Sequence, residues 1–297
     1  MRELVLVKLG GGAITDKHSL CEANDVALDA LTGALAQVWK KGIDLIVVHG
    51  AGSFGHLRCR AWQLQRGRAL DAAGAAALPL DGNGLDCASQ DAAVSRVRED
   101  LLTLHAKVLA SLNRHGVPTR SRAPHELGIL GTGMKLEADL ASLFIGRLAP
   151  ERFVDVTLGD VVDCRSPQDF GVLSGDDLMA RLALDLPGVT RAVFAVEGVD
   201  GLLRAPPRDG EPQQLVPEWH PDDPLPGTQH DDTVDVTGGI FLKVNRAAEM
   251  ARHGVTTKLV RAVADRCLAA CAGDNACPGT LVCLPGANVA EEASTSS

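Results

Sequence analysis

The chain of 297 residues contains no tyrosine, six phenylalanines and three tryptophans. So few aromatic faces leave little with which to stack single-stranded bases, and they require a core built from Ala, Leu and Val. No stretch approaches the roughly 18 uninterrupted apolar residues of a membrane-spanning helix. Positive charge is also in deficit, with 29 Lys plus Arg against 38 Asp plus Glu and a formal charge of −9. Such a field repels nucleic acid and anionic membrane, so any anionic ligand must be held by local groups. Eight cysteines are spread along the chain. Cys267, Cys271, Cys277 and Cys283 lack the paired C-x-x-C spacing or neighbouring histidine of a zinc site, so reduced thiols and no protein-held metal are expected. Met1 leads straight into Leu4-Val5-Leu6-Val7 with Lys8 already inside, which is not a signal-peptide pattern. A cytoplasmic protein is the expectation.

What is present fits an α/β protein. The length, with 45% hydrophobic and 23% charged residues, allows one large domain or two small ones. Short β-branched runs alternate with long Ala/Leu-rich stretches, the order of strands joined by crossover helices in a mostly parallel sheet. Strands are predicted at 4–9, 45–49, 153–158, 192–196, 257–260 and 281–284. Helices are predicted at 24–41, with Asn24 as N-cap and Gly42 at the end, and at 88–114, 136–148, 176–186 and 239–253. The segments 69–85 and 205–232 read as inserted surface loops or short hairpins of lid-like length, and 286–297 as a flexible tail. No internal repeat is evident.

Four glycine-containing turns carry the chemistry. The first strand ends in Lys8-Leu9-Gly10-Gly11-Gly12-Ala13 and reaches Lys17. Consecutive glycines let backbone N–H groups approach a phosphate without a Cβ in the way, although a plain turn would use them too. Lys8 adds weight, because an ammonium within an apolar strand is costly unless an anion meets it. The second turn is Gly50-Ala51-Gly52-Ser53-Phe54-Gly55-His56, a literal G-x-G-x-x-G. A dinucleotide fold would need a second strand ending in an acid about 20 residues on; Asp71 has the distance, but the residues before it make a poor strand. His56, at or near a helix N-terminus, is placed to donate to a phosphate oxygen or to cap the turn. The third turn, Ser174-Gly175-Asp176-Asp177, opens a helix with acids in its first turn, which orient lysines, meet phosphate-bound magnesium or simply complement the dipole; Asp160 after Gly159 offers the same choice. The fourth, Asp235-Val236-Thr237-Gly238-Gly239, precedes Lys243 on a helix.

Together these pieces resemble the amino acid kinase family, in the family's order over roughly residues 4–260, with Val199-Asp200-Gly201 as a further match. The resemblance implies a three-layer α-β-α sandwich around a mostly parallel sheet, a single domain over 1–285 whose N-terminal part takes the phosphoryl acceptor and whose part from about 170 takes ATP. It implies that Lys8, Lys17 and Lys243 flank the transferring phosphoryl group, with Lys17 stabilising its charge, and that Asp176 holds the lysines. Gly10, Gly11, Gly12, Gly52 and Gly239 would offer amides to ATP phosphates, and Asp200 and Gly201 would join the nucleotide site. Ala51, Gly52, Gly55, His56 and Gly159 would face the acceptor. A histidine closing the second turn is similar to the branch that phosphorylates phosphates or phosphonates. The implied reaction is ATP-dependent conversion of isopentenyl phosphate to isopentenyl diphosphate, in isoprenoid biosynthesis by a mevalonate route, with Mg2+ held mainly through ATP phosphates and a homodimeric assembly. A fosfomycin-type acceptor, or a catalytically silent phosphometabolite binder, are the alternatives. Three positions depart from the pattern: Gly12 where Ser is usual, Leu158 where His is usual, and Glu197-Gly198 where Thr-Asp is common.

Overall fold

The computed structural model describes residues 2–16, 19–69, 85–144, 151–206, 211–226 and 239–286. Among these residues the strands are β1 (Leu4–Leu9), β2 (Asp44–His49), β3 (Thr119–Ser121), β4 (Val154–Leu158), β5 (Asp160–Asp163), β6 (Phe170–Leu173), β7 (Val189–Val196), β8 (Glu218–Trp219), β9 (Thr256–Arg261) and β10 (Thr280–Val282). The α-helices are α1 (Gly11–Ile14), α2 (Asp25–Lys40), α3 (His56–Ala61), α4 (Gln90–Arg114), α5 (Leu140–Leu143), α6 (Gly175–Asp185), α7 (Gly239–Arg252) and α8 (Ala264–Cys271).

Eight strands form one sheet in the order β3-β4-β2-β1-β7-β9-β10-β8. Every pairing in it is parallel except β9 with β10. Because side chains alternate along a strand, the two faces of the sheet build two cores. Val5, Val7 and Leu9 of β1 pack with the apolar stripe Leu28, Leu31 and Leu35 of α2 and with α4 and α8. Leu4 and Leu6 face the other way, against α6 and α7. This gives helices on both faces of the sheet, the expected sandwich. Lys8 shares the second face, and that parity aims its ammonium at the α6 layer.

Local signals set most helix ends. Asn24 Oδ1 accepts from Ala27 N at 3.1 Å, and Gly42 follows α2 at φ +95°. Ser89 caps α4 and Ser174 caps α6. Within the predicted 136–148, only Leu140–Leu143 is helical among the described residues. Asp139 accepts from Ser142 N at 3.1 Å and so starts the helix late, while Leu130 and Glu137 form an antiparallel bridge just before it.

The short strands β3, β5, β6 and β8 and the helices α3 and α8 lie outside the predicted elements. β5 and β6 pair with each other outside the main sheet, with a further bridge between Asp163 and Leu130, and β8 takes two residues from the predicted insertion 205–232 to complete the sheet edge beside β10. That segment is therefore not surface loop throughout. Most of 69–85, parts of 205–232, Lys17, and all but the first residue of the predicted tail lie outside the described residues.

Candidate active site

Parallel strands point their carboxyl ends the same way, and ligands of open α/β sheets bind where the strand order reverses. Here the reversal occurs around β1. The ends of β1, β2, β4 and β7 open onto one cavity of about 410 Å³. Its lining includes Lys8, Gly10, Gly11, Gly12, Ala51, Gly52, Gly55, His56, Gly159, Gly239 and Lys243, so residues spread over 236 positions converge.

The two glycine turns after β1 and β2 pack backbone on backbone. A Cβ on Gly11 would stand 2.3 Å from Gly52 N, and one on Gly50 would stand 2.5 Å from Gly11 N. Gly52 has φ +49°, and a Cβ there would also meet Thr15 Oγ1 at 2.1 Å. Thr15 stitches the two turns, donating to Gly11 O at 2.9 Å and accepting from Ser53 N at 3.1 Å. No pattern in the sequence points to Thr15, whose partners are set by this close approach. The Gly10 amide, expected to meet a phosphate, is spent on Ala195 O, and those of the acceptor-side residues Gly55 and Gly159 on Gly52 O and His49 O. Gly10 therefore lines the cavity without an N–H to offer a phosphate, a correction to its expected role.

Beneath this floor Asp176, fully buried in the first turn of α6, accepts from both lysines. Lys8 donates to Oδ1 and Lys243 Nζ lies 3.4 Å from Oδ2. Lys243 also donates to Gly239 O at 3.2 Å. Removing two ammonium groups from water is costly, and one carboxylate between them lowers that cost while leaving a net positive charge facing the cavity. Asp177 next to it pairs with Arg246 at 2.6 Å, so its carboxylate is structural. Burial raises the Asp177 pKa, against the lowering effect of Arg246.

His56 is the first residue of α3 and lines the cavity. Around it stands an apolar wall of Leu57 and Cys59 from α3, Leu101 from α4, and Val161 and Val172 from the β5–β6 hairpin. The Cys59 thiol is pushed up to about 12 by burial and by the charge of Asp160, so it packs as a small apolar group. Asp160 also lines the cavity, and its carboxylate accepts from His125 N at 3.0 Å and from His125 Nδ1 at 2.7 Å. His125 lies between β3 and α5, where no local pattern marks it.

Behind the second turn a hydrogen-bonded chain built on two buried histidines holds Gly50. His49 Nδ1 lies 3.1 Å from Gly50 O, His49 Nε2 lies 2.9 Å from His105 Nδ1, and His105 Nε2 lies 3.0 Å from Ser121 Oγ. A carbonyl can only accept, so His49 Nδ1 carries the proton, His105 Nδ1 donates to His49 Nε2, and Ser121 donates to His105. Burial lowers His49 to about 4 and, with its neighbour's charge, His105 to about 3.

The lining does not extend to Asp200 and Gly201. The Asp200 carboxylate is committed to Arg261 at 2.8 Å and to Arg266, and its pKa falls because those bonds outweigh burial. Gly201 sits at φ +156° against Thr280. Of the three departures, Gly12 and Glu197 line the cavity, whereas Leu158 is buried in the core with α4. Lys17, Asp235 and Gly238 lie outside the described residues.

A cradle of glycine backbone, lysines sharing a buried carboxylate and a histidine-bearing second turn line one cavity, and the amino acid kinase family matches residues 3–261. The chain belongs to that family. It is similar to the isopentenyl phosphate kinase of Arabidopsis thaliana, 26% identical over 322 aligned residues that cover 91% of this chain and 90% of that protein. The isopentenyl phosphate kinase of Methanothermobacter thermautotrophicus is likewise 26% identical, over 261 residues that cover 87% of this chain and 91% of that protein. A solved isopentenyl phosphate kinase shares the fold with a TM-score of 0.73 at 22% identity, over 94% of this chain and all of that one.

Proposed function

We propose that this protein transfers the terminal phosphoryl group of ATP to isopentenyl phosphate, forming isopentenyl diphosphate and ADP. The observation that carries the reading is one cavity joining Lys8, Lys243 and the glycine cradle to His56 and an apolar wall. An acceptor phosphate seated at His56 would lay its hydrocarbon tail on Leu57, Leu101, Val161 and Val172. The relatives in Arabidopsis thaliana and Methanothermobacter thermautotrophicus carry that activity in their names, and the family match agrees with it.

An acceptor phosphate oxygen is already ionised near neutral pH, so no general base is required. The acceptor oxygen attacks the terminal phosphorus, the bond to the bridging oxygen breaks, and ADP leaves with that oxygen. Catalysis then consists of aligning two anions and neutralising them. Lys8 and Lys243, held by Asp176, meet the charge from below; the amides of Gly11 and Gly12 approach from the β1 turn; His56 donates to the acceptor. Lys17 belongs to the same reading as the stabiliser of charge developing in the transition state.

The carboxylates near the cavity suit magnesium carried in by the nucleotide. Asp176 holds the lysines and Asp160 holds His125, so neither carboxylate is assigned to the ion in this reading. Mg2+ keeps several waters and binds largely through substrate phosphates, and there it would offset charge on the nucleotide. A homodimer and a cytoplasmic location complete the reading, the latter consistent with eight free cysteines. None of the described helices is long and apolar enough to cross a membrane.

The test is coupled ADP release with Mg-ATP and a panel of isopentenyl phosphate, dimethylallyl phosphate, geranyl phosphate, fosfomycin and glutamate. Saturable turnover is expected with the prenyl phosphates. Turnover with fosfomycin alone would replace the acceptor. ATP binding without turnover on any of them would overturn the reading in favour of a silent binder.

A further inference from the structure

Far along the sheet from the cavity, β8 and β10 bring together three side chains of metal-binding type. Glu218 and His220 are two residues apart along extended chain, a spacing that sends both side chains to one face. The parallel register pairs Leu281 with Glu218 and Val282 with Trp219, and one further step sets Cys283 beside His220. One ligand atom from each of Glu218, His220 and Cys283 lies within 4.8 Å of the others. No other group of His, Cys, Asp and Glu among the described residues meets that spacing.

The imidazole orientation gives the second argument. His220 Nδ1 lies 3.0 Å from the Cys283 carbonyl oxygen, which can only accept, so Nδ1 carries a proton. A histidine that ligates through Nε2 characteristically donates its other N–H to such a carbonyl. Nε2 then faces Glu218 Oε1 at 3.3 Å. The ring nitrogen, the carboxylate oxygen and the Cys283 sulfur thus present their donor atoms to one point. The turn that follows holds the His220 backbone, whose N–H donates to Asp223 Oδ2 at 3.1 Å.

We propose that Glu218, His220 and Cys283 form a binding site for a borderline-soft divalent cation of the zinc class, with water as fourth ligand. A carboxylate, an imidazole and a thiolate select zinc or cobalt over magnesium, which prefers an all-oxygen octahedron. Tetrahedral donors with bonds of roughly 2.0–2.3 Å stand about 3.3–3.8 Å apart, so the 3.3 Å between His220 Nε2 and Glu218 Oε1 already suits an ion, and side-chain shifts of no more than about 1 Å would bring in the third donor. The exposed Glu218 leaves an entry path, while Cys283 is buried. On binding, the Cys283 thiol gives its proton to solvent and the metal–sulfur bond forms in its place. The bound ion would tie β8, part of the inserted segment, to β10.

The experiment is titration of the intact protein with Co2+ and Zn2+, alongside Cys283→Ser, His220→Gln and Glu218→Gln. Expected are one equivalent of Co2+ with a thiolate-to-cobalt charge-transfer band, proton release on binding, and a Tm raised by Zn2+. Cys283→Ser should abolish the band, and His220→Gln should weaken binding by at least about tenfold. The partly exposed His220 and exposed Glu218 variants keep the test usable if Cys283→Ser folds poorly. No band, a band that survives Cys283→Ser, or an affinity unchanged in both His220→Gln and Glu218→Gln would overturn the site and leave only the contact between His220 and Glu218. Kinase turnover reads separately, because none of the three residues lines the phosphate cavity.

Discussion

Lys8 on β1 and Asp176 at the start of α6, 168 positions apart, form a buried ion pair, and the second oxygen of the same carboxylate faces Lys243. Breaking one side of a buried pair leaves charge stranded in low dielectric. Asp176→Asn should therefore cost about 3 kcal/mol of stability and lower kcat sharply, since both lysines lose the charge they share. Denaturant unfolding and steady-state kinetics check both. A double-mutant cycle with Lys8→Met should give a coupling energy above about 1 kcal/mol; additive effects would remove Asp176 from its holding role.

The proposed role of His56 on the acceptor side predicts a split in kinetic constants. His56→Ala should raise the acceptor KM far more than the ATP KM. Equal changes in both, or none, in initial-rate measurements would contradict the assignment.

Lys17 is predicted to act in the transition state. Lys17→Ala should lower kcat with little change in either KM, because an interaction that strengthens only as charge develops affects turnover rather than ground-state binding. A variant with full kcat and weakened ATP binding would make Lys17 a simple nucleotide contact.

Two glycines with positive φ provide a contrast. Gly52→Ala places a Cβ 2.1 Å from Thr15 Oγ1 at φ +49°, whereas a Cβ on Gly42 meets nothing within 4 Å at φ +95°. Overpacking the joined turns should cost about 3 kcal/mol and most of the activity. Gly42→Ala should cost about 1 kcal/mol of backbone strain and leave turnover intact. Thermal unfolding with activity assays on the two variants tests this.

The histidine chain behind Gly50 makes stability depend on pH. His49 and His105 stay neutral in the fold, with pKa values of about 4 and about 3, against an unfolded value near 6.5. Above that value both states are neutral and nothing is lost. As pH falls from about 6.5 toward 4 the unfolded chain binds protons that the fold refuses, and stability drops by an amount on the order of a few kcal/mol. His105→Gln should flatten this part of the stability profile even if it lowers stability at neutral pH. An unchanged slope between pH 6.5 and 4 would mean that the pair is not the source.

Much of this protein is legible along the chain. The apolar runs of β1, β2, β4, β7 and β9 stand out because strands buried on both faces must be apolar throughout. The cap Asn24 and the helix-opening turn at Ser174 act within a few residues, so their signals survive without tertiary context. The glycine turns and Lys8 are legible for the same reason: a buried ammonium and a run without Cβ atoms are locally expensive. The two-residue β8, the hairpin strands β5 and β6, and the late start of α5 carry too little periodicity to be seen, and they owe their conformation to neighbours distant in sequence.

Sequence alone determined the alternation of strands and helices and the residue types that could meet a phosphate, because propensity, capping and burial of a strand act over a few positions. Tertiary packing decided which of them meet. It set Lys8 and Lys243 on one carboxylate, spent the Gly10 amide on Ala195, committed Asp200 to Arg261 and Arg266, joined His49 to His105, and placed Cys283 beside His220. Each of these depends on strand order and register, which bring distant segments within hydrogen-bonding reach and leave no local mark in the chain.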